Sequence, residues 1–229
     1  MYGSRIKVNR YEDTIRAYES RPIEEEKGKI LFYGHSLFTR CSWNTLAGKP
    51  NPKLADEVRM KDGSLAIVNH GFGTSNADEL LYFYDRMVRA YEPRVLVLAT
   101  SNNDFGNAYS AKEVMEIQAR IIDWAQADMP GIEVYCFGST PTVKHKGEKN
   151  AMTRLRDEYN QLLEDYCGRK ENVTYVSLID QPFYFENPED VGDYDKVRED
   201  IFVADRTHLN PEGYAMFHNF IRELLDEYL

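Results

Sequence analysis

Five short, almost continuous apolar runs constrain this chain more than any other feature. They are Ile30–Tyr33, Leu65–Val68, Val95–Ala99, Ile132–Phe137 and Val173–Leu178. A strand that is apolar at every position is buried on both faces, and such strands belong to parallel sheets covered by helices. Longer segments of helical period lie between the runs. Asp78–Tyr91 spaces Leu80, Leu81, Tyr84, Val88 and Tyr91 along one face. Ala111–Met129 does so with Val114, Ile117, Ile121 and Trp124, and Ala151–Cys167 with Leu155, Tyr159, Leu162 and Tyr166. A last helix is expected from Asn210 as cap and Pro211 as first helical residue. This alternation predicts a doubly wound three-layer α/β/α fold on a five-stranded parallel sheet. The 229 residues fit one domain, 1–229, with residues 1–27 as a helical or irregular extension packed on it.

Charge narrows the function. Lys+Arg 28 against Asp+Glu 38 gives a net charge of −10, the wrong sign for a phosphate-backbone binder. Nucleic acid is therefore not an expected partner. No apolar run approaches membrane-spanning length, and the first residues lack the apolar centre of a signal peptide. Cys41, Cys136 and Cys167 are far apart, without metal-ligand or disulfide spacing, so a reducing, cytoplasmic compartment is expected.

In open α/β sheets, function sits beyond the carboxyl ends of the strands. The polar residues gather there. Run one ends in Gly34-His35-Ser36, run two in Asn69-His70-Gly71-Phe72-Gly73-Thr74-Ser75, run three in Thr100-Ser101-Asn102-Asn103-Asp104. Asp205-Arg206-Thr207-His208 precedes the last helix. Together these stretches offer a hydroxyl, glycine amides, a side-chain amide, a carboxylate and an imidazole, the inventory of acyl transfer. Serine needs a base, histidine is the usual one, and an acid on its other ring nitrogen fixes the tautomer.

The four stretches, in this order, resemble the SGNH or GDSL-type hydrolases, esterases and lipases on a flavodoxin-like fold. The similarity runs from about residue 28 onward. Gly34-His35-Ser36 matches the Gly-Asp-Ser block and "NHGFGTSNADEL" the glycine block. Ser101-Asn102-Asn103-Asp104 matches the Gly-x-Asn-Asp block, and Asp205 with His208 the final Asp-x-x-His. The resemblance implies Ser36 as nucleophile, His208 as base and Asp205 as its orienting acid. It implies an oxyanion hole from the amides of Ser36 and Gly73 and the side chain of Asn103. Asn102, one residue away, is the competing alignment. No metal or organic cofactor is implied. The expected activity is hydrolysis of small carboxylic esters through an acyl-enzyme. Acetylated carbohydrate is the first substrate class, and an interfacial lipid is not expected.

Two residues depart from the pattern: His35 replaces an Asp and Ser101 a Gly. They motivate a rival expectation, a weakened or non-enzymatic binding protein on the same fold. His35 is read as a structural or rate-tuning substitution. His35, Phe72, Thr140 and Pro141 are candidates for the substrate pocket, with His145 a weaker one. The aromatic, acidic stretch at residues 180–202 is read as a pocket wall, a lid or a surface excursion. Phe38 and Trp43 are expected to pack in the core, and His218 to be a surface or partly buried helix residue.

Overall fold

The computed structural model describes residues 7–40, 53–144, 146 and 151–229, with the side chain of Ala151 excepted. Cys41, Trp43 and His145 lie outside the described residues. The sheet consists of β1 (Ile30–Gly34), β2 (Ile67–Asn69), β3 (Val95–Ala99), β4 (Glu133–Phe137) and β5 (Val173–Val176). Its order is β2-β1-β3-β4-β5 and every pairing is parallel. The connections run outward in opposite directions from β1 and β3. Their carboxyl ends therefore form the crevice at a topological switch point.

Five helices cover the sheet: α1 (Glu12–Glu19), α2 (Ala77–Met87), α3 (Ala111–Asp128), α4 (Ala151–Cys167) and α5 (Pro211–Leu224). Alternate strand residues divide between two cores, as two-sided burial requires. Leu31, Tyr33, Leu96 and Leu98 pack with α1 to α4 through Ile15, Phe83, Ile121 and Tyr159. Ile30, Phe32, Val95 and Val97 pack with Phe217 and Ile221 of α5. Two helix starts are capped by side chains, the one at Asn210 as the sequence suggests. Asn210 Oδ1 accepts from Gly213 N at 3.0 Å with Pro211 at the first helical position. Ser110 Oγ accepts from Glu113 N at 3.2 Å.

Some boundaries differ from expectation. Leu65 forms an isolated antiparallel bridge with Arg59, so β2 starts only at Ile67. The helix expected over Asp78–Tyr91 stops at Met87 and continues as a 3-10 turn, Arg89–Tyr91, ended by Glu92 at φ 43°. The fifth strand stops at Val176, after which Gln181 N turns back to Leu178 O at 3.2 Å. Residues 180–202 form three short 3-10 turns that bury Tyr184, Phe185, Tyr194 and Val197 against the α5 side of the sheet. That stretch is a core cover, and it does not line the cavity at Ser36.

Two glycines shape the crevice. A Cβ on Gly34 would lie 2.5 Å from the carbonyl oxygen of Ala99, because β1 and β3 run together there. A Cβ on Gly71 would lie 2.8 Å from Phe38 Cβ and 2.9 Å from Thr39 N. Neither position has room for a side chain.

Candidate active site

Ser36 opens a single helical turn, Ser36–Thr39, directly after β1. His35 precedes it in extended conformation, and its Nδ1 accepts a hydrogen bond from Leu37 N at 3.2 Å. A short acceptor just before a helical turn is an N-cap, so the imidazole fills a role open to an Asp. Only the deprotonated ring nitrogen can accept. Burial and the neighbouring charge of His208 push the His35 pKa down to about 4, against an opposing pull from the Thr100 carbonyl. Near neutral pH the ring is therefore uncharged and the cap holds. His35 Nε2 is buried and closes no hydrogen bond of normal geometry.

His208 faces Ser36 from the loop before α5. Its Nε2 lies 2.9 Å from Ser36 Oγ, and its Nδ1 lies 2.7 Å from Asp205 Oδ2. The other oxygen, Asp205 Oδ1, accepts from Thr207 N at 2.9 Å and His208 N at 3.0 Å. That local turn fixes the carboxylate before it meets the ring. Partial burial pushes the Asp205 pKa up. The hydrogen bonds from His208 N, the His208 ring and Thr207 N outweigh it, and the carboxyl sits below its ordinary value.

The third stretch follows β3. Ser101 adopts φ 99°, where a glycine would be unstrained. It is fully buried, with Oγ 3.1 Å from Ser139 Oγ and its amide donating to Asp104 Oδ2 at 3.1 Å. Asp104 Oδ1 accepts from Ala77 N at 2.7 Å and so ties the turn to the start of α2. Burial raises the Asp104 pKa to about 7 despite these amides. Asn103 Nδ2 donates to Ser75 O at 3.0 Å, leaving its second N–H for the cavity it lines beside Ser36. Asn102 lines the same cavity, but its Nδ2 donates to Thr140 O at 2.9 Å and its Oδ1 is buried without a partner. Gly73 lies opposite: a Cβ on it would stand 4.0 Å from Ser36 Cβ. Thr74 (φ 65°), Ser101 (φ 99°) and Arg206 (φ 59°) adopt left-handed conformations in three of the converging loops. Such strain collects where surrounding structure holds a functional geometry in place.

Two spaces open at Ser36, and a third adjoins them through Thr74, Asn102, Asn103 and Thr207. The space directly at the serine is about 80 Å³, walled by His35, Leu37, Thr140, Leu209 and Tyr214. On the Gly73 side a cavity of about 380 Å³ is lined by Tyr11, Tyr18 and Phe72. On the Asn103 side a cavity of about 390 Å³ is lined by Arg10, Lys144 and Arg156. Of the pocket candidates, His35 and Thr140 line the space at Ser36. Pro141 is buried and does not line it, because the wall there is made by its neighbour Thr140. Phe72 is a core residue, 1 % exposed and packed edge-on with Tyr11 and Phe83, that also lines the Gly73-side cavity.

The N-terminal segment supplies walls that motif reading missed. Tyr11, Ile15 and Tyr18 follow a helical stripe, the signal that could have docked α1. Arg10 Nη2 donates to Thr74 O at 3.1 Å and also bonds Thr74 Oγ1. The Tyr18 hydroxyl donates to Gly71 O. His70 and His218 belong to the packing. His70 stacks with Tyr18 and meets Tyr91 edge-on, its Nδ1 2.9 Å from Met87 O. His218, expected at the surface or partly buried, is fully buried with Nδ1 2.8 Å from Glu57 Oε2. Among the described residues no group of three or more His, Cys, Asp or Glu is placed to hold a metal. No helix among them is long and apolar enough to cross a membrane.

Comparison with known proteins agrees with this layout. A family model described as GDSL-like Lipase/Acylhydrolase matches residues 32–216. No curated protein sequence matches the chain. Among solved structures, a protein assigned as an acylhydrolase from Bacteroides fragilis superposes with a TM-score of 0.69 at 16% identity, covering 99% of both chains. A GDSL-like lipase from Bacteroides thetaiotaomicron superposes at 0.63 and 17% identity, covering 97% of this chain and 98% of that one. A catalytic variant of an acetylxylan esterase from Geobacillus stearothermophilus superposes at 0.63 and 15% identity, covering 86% and 93%. At these identities the structures share the fold. With the family match spanning most of its length, the chain belongs to the GDSL-like lipase/acylhydrolase family of hydrolases.

Proposed function

We propose that the chain is one hydrolase domain acting as a serine esterase on small carboxylic esters, with O-acetyl groups on carbohydrate as the first class to test. The observation that carries the reading is the unbroken relay Asp205 Oδ2–His208 Nδ1 at 2.7 Å and His208 Nε2–Ser36 Oγ at 2.9 Å. His208 takes the Ser36 proton as Oγ attacks the acyl carbon. The carbonyl oxygen becomes an oxyanion held by the Ser36 and Gly73 amides and Asn103 Nδ2. Collapse breaks the ester C–O bond, and the imidazolium returns its proton to the departing alcohol. Water then enters and loses a proton to His208 as its oxygen bonds the acyl carbon; the bond from that carbon to Ser36 Oγ breaks, the imidazolium returns its proton to Oγ, and the carboxylic acid leaves.

The narrow space at Ser36 supports a short acyl group. Its roughly 80 Å³ has room for an acetyl group. The acetylxylan esterase neighbour favours the same substrate class. Cys136 and Cys167, distant in sequence, meet in the core, and a reducing cytoplasm that keeps both as thiols is part of this reading. Ser36→Ala tests the reading: turnover of p-nitrophenyl acetate should fall by about 10⁴-fold or more. Wild-type turnover in a folded Ser36→Ala protein would refute it.

The rival, a weakened enzyme or binding protein, was motivated by His35 and Ser101. Both keep local roles, His35 as a cap and Ser101 as a hydrogen-bonded corner, which favours the enzyme. Fluorophosphonate labelling separates the two, because an inactive serine in a folded protein stays unlabelled.

A further inference from the structure

The Asn103-side cavity contains a buried cation that forms no ion pair among the described residues. Arg156 lies in mid-α4 and is 3 % exposed. Among the described residues its guanidinium makes one hydrogen bond, from Nη2 to Thr142 Oγ1 at 3.0 Å, while Nε is buried and unpartnered. It stands 5.6 Å from the centre of the Tyr194 ring, and the carboxylate that acts on it is that of the next residue, Asp157, which makes no ion pair with it. A buried charge is costly unless a partner compensates it. Here the guanidinium lines a cavity of about 390 Å³ whose wall also carries Lys7, Arg10 and Lys144. In a chain of net charge −10, that is a local reversal of sign.

Among the described residues one carboxylate, Glu79, is on the same wall. Its two oxygens already accept the amides of Lys7 and Asn76, each at 2.9 Å, and it is 1 % exposed. It is committed to the backbone and does not neutralise Arg156. It does set a limit on charge, because a second negative group near it must be singly charged to gain from the cations without strong repulsion. Thr74, Asn102, Asn103 and Thr207 line both this cavity and the space at Ser36. A molecule whose ester carbonyl sits at Ser36 therefore extends directly into the cationic cavity.

We propose that Arg156, with Lys7, Arg10 and Lys144 around it, forms a specificity subsite for a carboxylate on the substrate. The preferred ester would be an acetylated acidic sugar or hydroxy acid, not a neutral one. The planar guanidinium suits a carboxylate because it donates two parallel N–H bonds to its two oxygens. Burial, which lowers the Arg156 pKa, removes the water that would otherwise compete for those donors. The proposal rests on the serine-esterase reading for its catalytic consequence, but not for binding.

The experiment has two arms. In the first, kcat/KM is measured for O-acetyl methyl glucuronoside and for O-acetyl methyl glucoside, which differ by one carboxylate. Wild type should prefer the acidic ester by about tenfold or more, and Arg156→Gln should remove most of that preference. Should Arg156→Gln fail to give a cooperative melt, the double variant Lys7→Gln/Lys144→Gln, built on exposed side chains, should lower the preference about threefold. Equal use of both esters by wild type, or a preference unchanged in the folded variants, overturns the proposal.

In the second arm, glucuronate, glucose and inorganic phosphate are titrated into Ser36→Ala protein by calorimetry. Saturable binding of glucuronate alone, weakened by the same substitutions, supports the subsite even if neither ester is hydrolysed and the esterase reading fails. No preference for glucuronate over glucose, or tighter binding of phosphate, overturns it.

Discussion

His35→Asn tests whether the residue beside Ser36 works as an uncharged cap. The ring is 4 % exposed, its Nδ1 accepts from Leu37 N at 3.2 Å, and its pKa is pushed down to about 4. In the unfolded chain the same imidazole titrates near ~6.5. Between these values the unfolded state holds the extra proton, so this group's contribution to stability is full above about pH 6.5 and is lost as pH falls through about 4. At about pH 5 the unfolded imidazole is almost fully protonated and the folded one about a tenth protonated. That difference lowers wild-type stability by roughly 2 kcal/mol relative to about pH 7.5. Asn offers an acceptor to the Leu37 amide and does not titrate. The variant should stay within about 1 kcal/mol of wild type at about pH 7.5 and should lack the acid-side loss carried by this group. Urea unfolding of both proteins at the two pH values gives the comparison, and taking the difference cancels the other carboxyls and histidines. Parallel curves, with the variant losing as much as wild type, would mean that His35 is not held neutral by burial and that the capping account is wrong.

Three further outcomes follow from particular contacts. Ser101→Gly relieves the φ of 99°, while Ser101→Ala keeps it, and both lose the contact with Ser139 Oγ; the glycine variant should be more stable in urea by about 1–2 kcal/mol. Gly34→Ala places a methyl 2.5 Å from the Ala99 carbonyl and should cost about 1–3 kcal/mol or more by urea midpoint, whereas at Gly73 the nearest atom is 3.9 Å away and Gly73→Ala should keep the wild-type midpoint. Asn103→Ala removes a side-chain donor from the space beside Ser36 and should lower kcat for p-nitrophenyl acetate by about 10²–10³-fold with little change in melting temperature; an unchanged kcat would pass the oxyanion role to Asn102.

The parts of this chain that were legible share a physical property: each is fixed by its neighbours in sequence. β3 is apolar at every position, and β1 and β4 at all but Gly34 and Glu133, because both faces are covered, so Val95–Ala99 could be bounded to the residue. Ser36, Gly73, Asn103, Asp205 and His208 follow strand ends or precede a helix cap, and the fold brings strand ends to one edge whatever the side chains are. Arg156 lacked such a signal. Beside Arg154 and Asp157 it reads as one more polar position of α4, and its burial appears only when Thr142 and Tyr194 close over it from loops far along the chain. Arg10 likewise gains meaning from Thr74, 64 residues away. The two departures from the family pattern lie between these cases. From sequence, His35 and Ser101 were losses, an absent carboxylate and an absent glycine. In the fold each has a local role: a His35 ring nitrogen accepts from Leu37 N, and Ser101 holds a positive φ with its amide on Asp104.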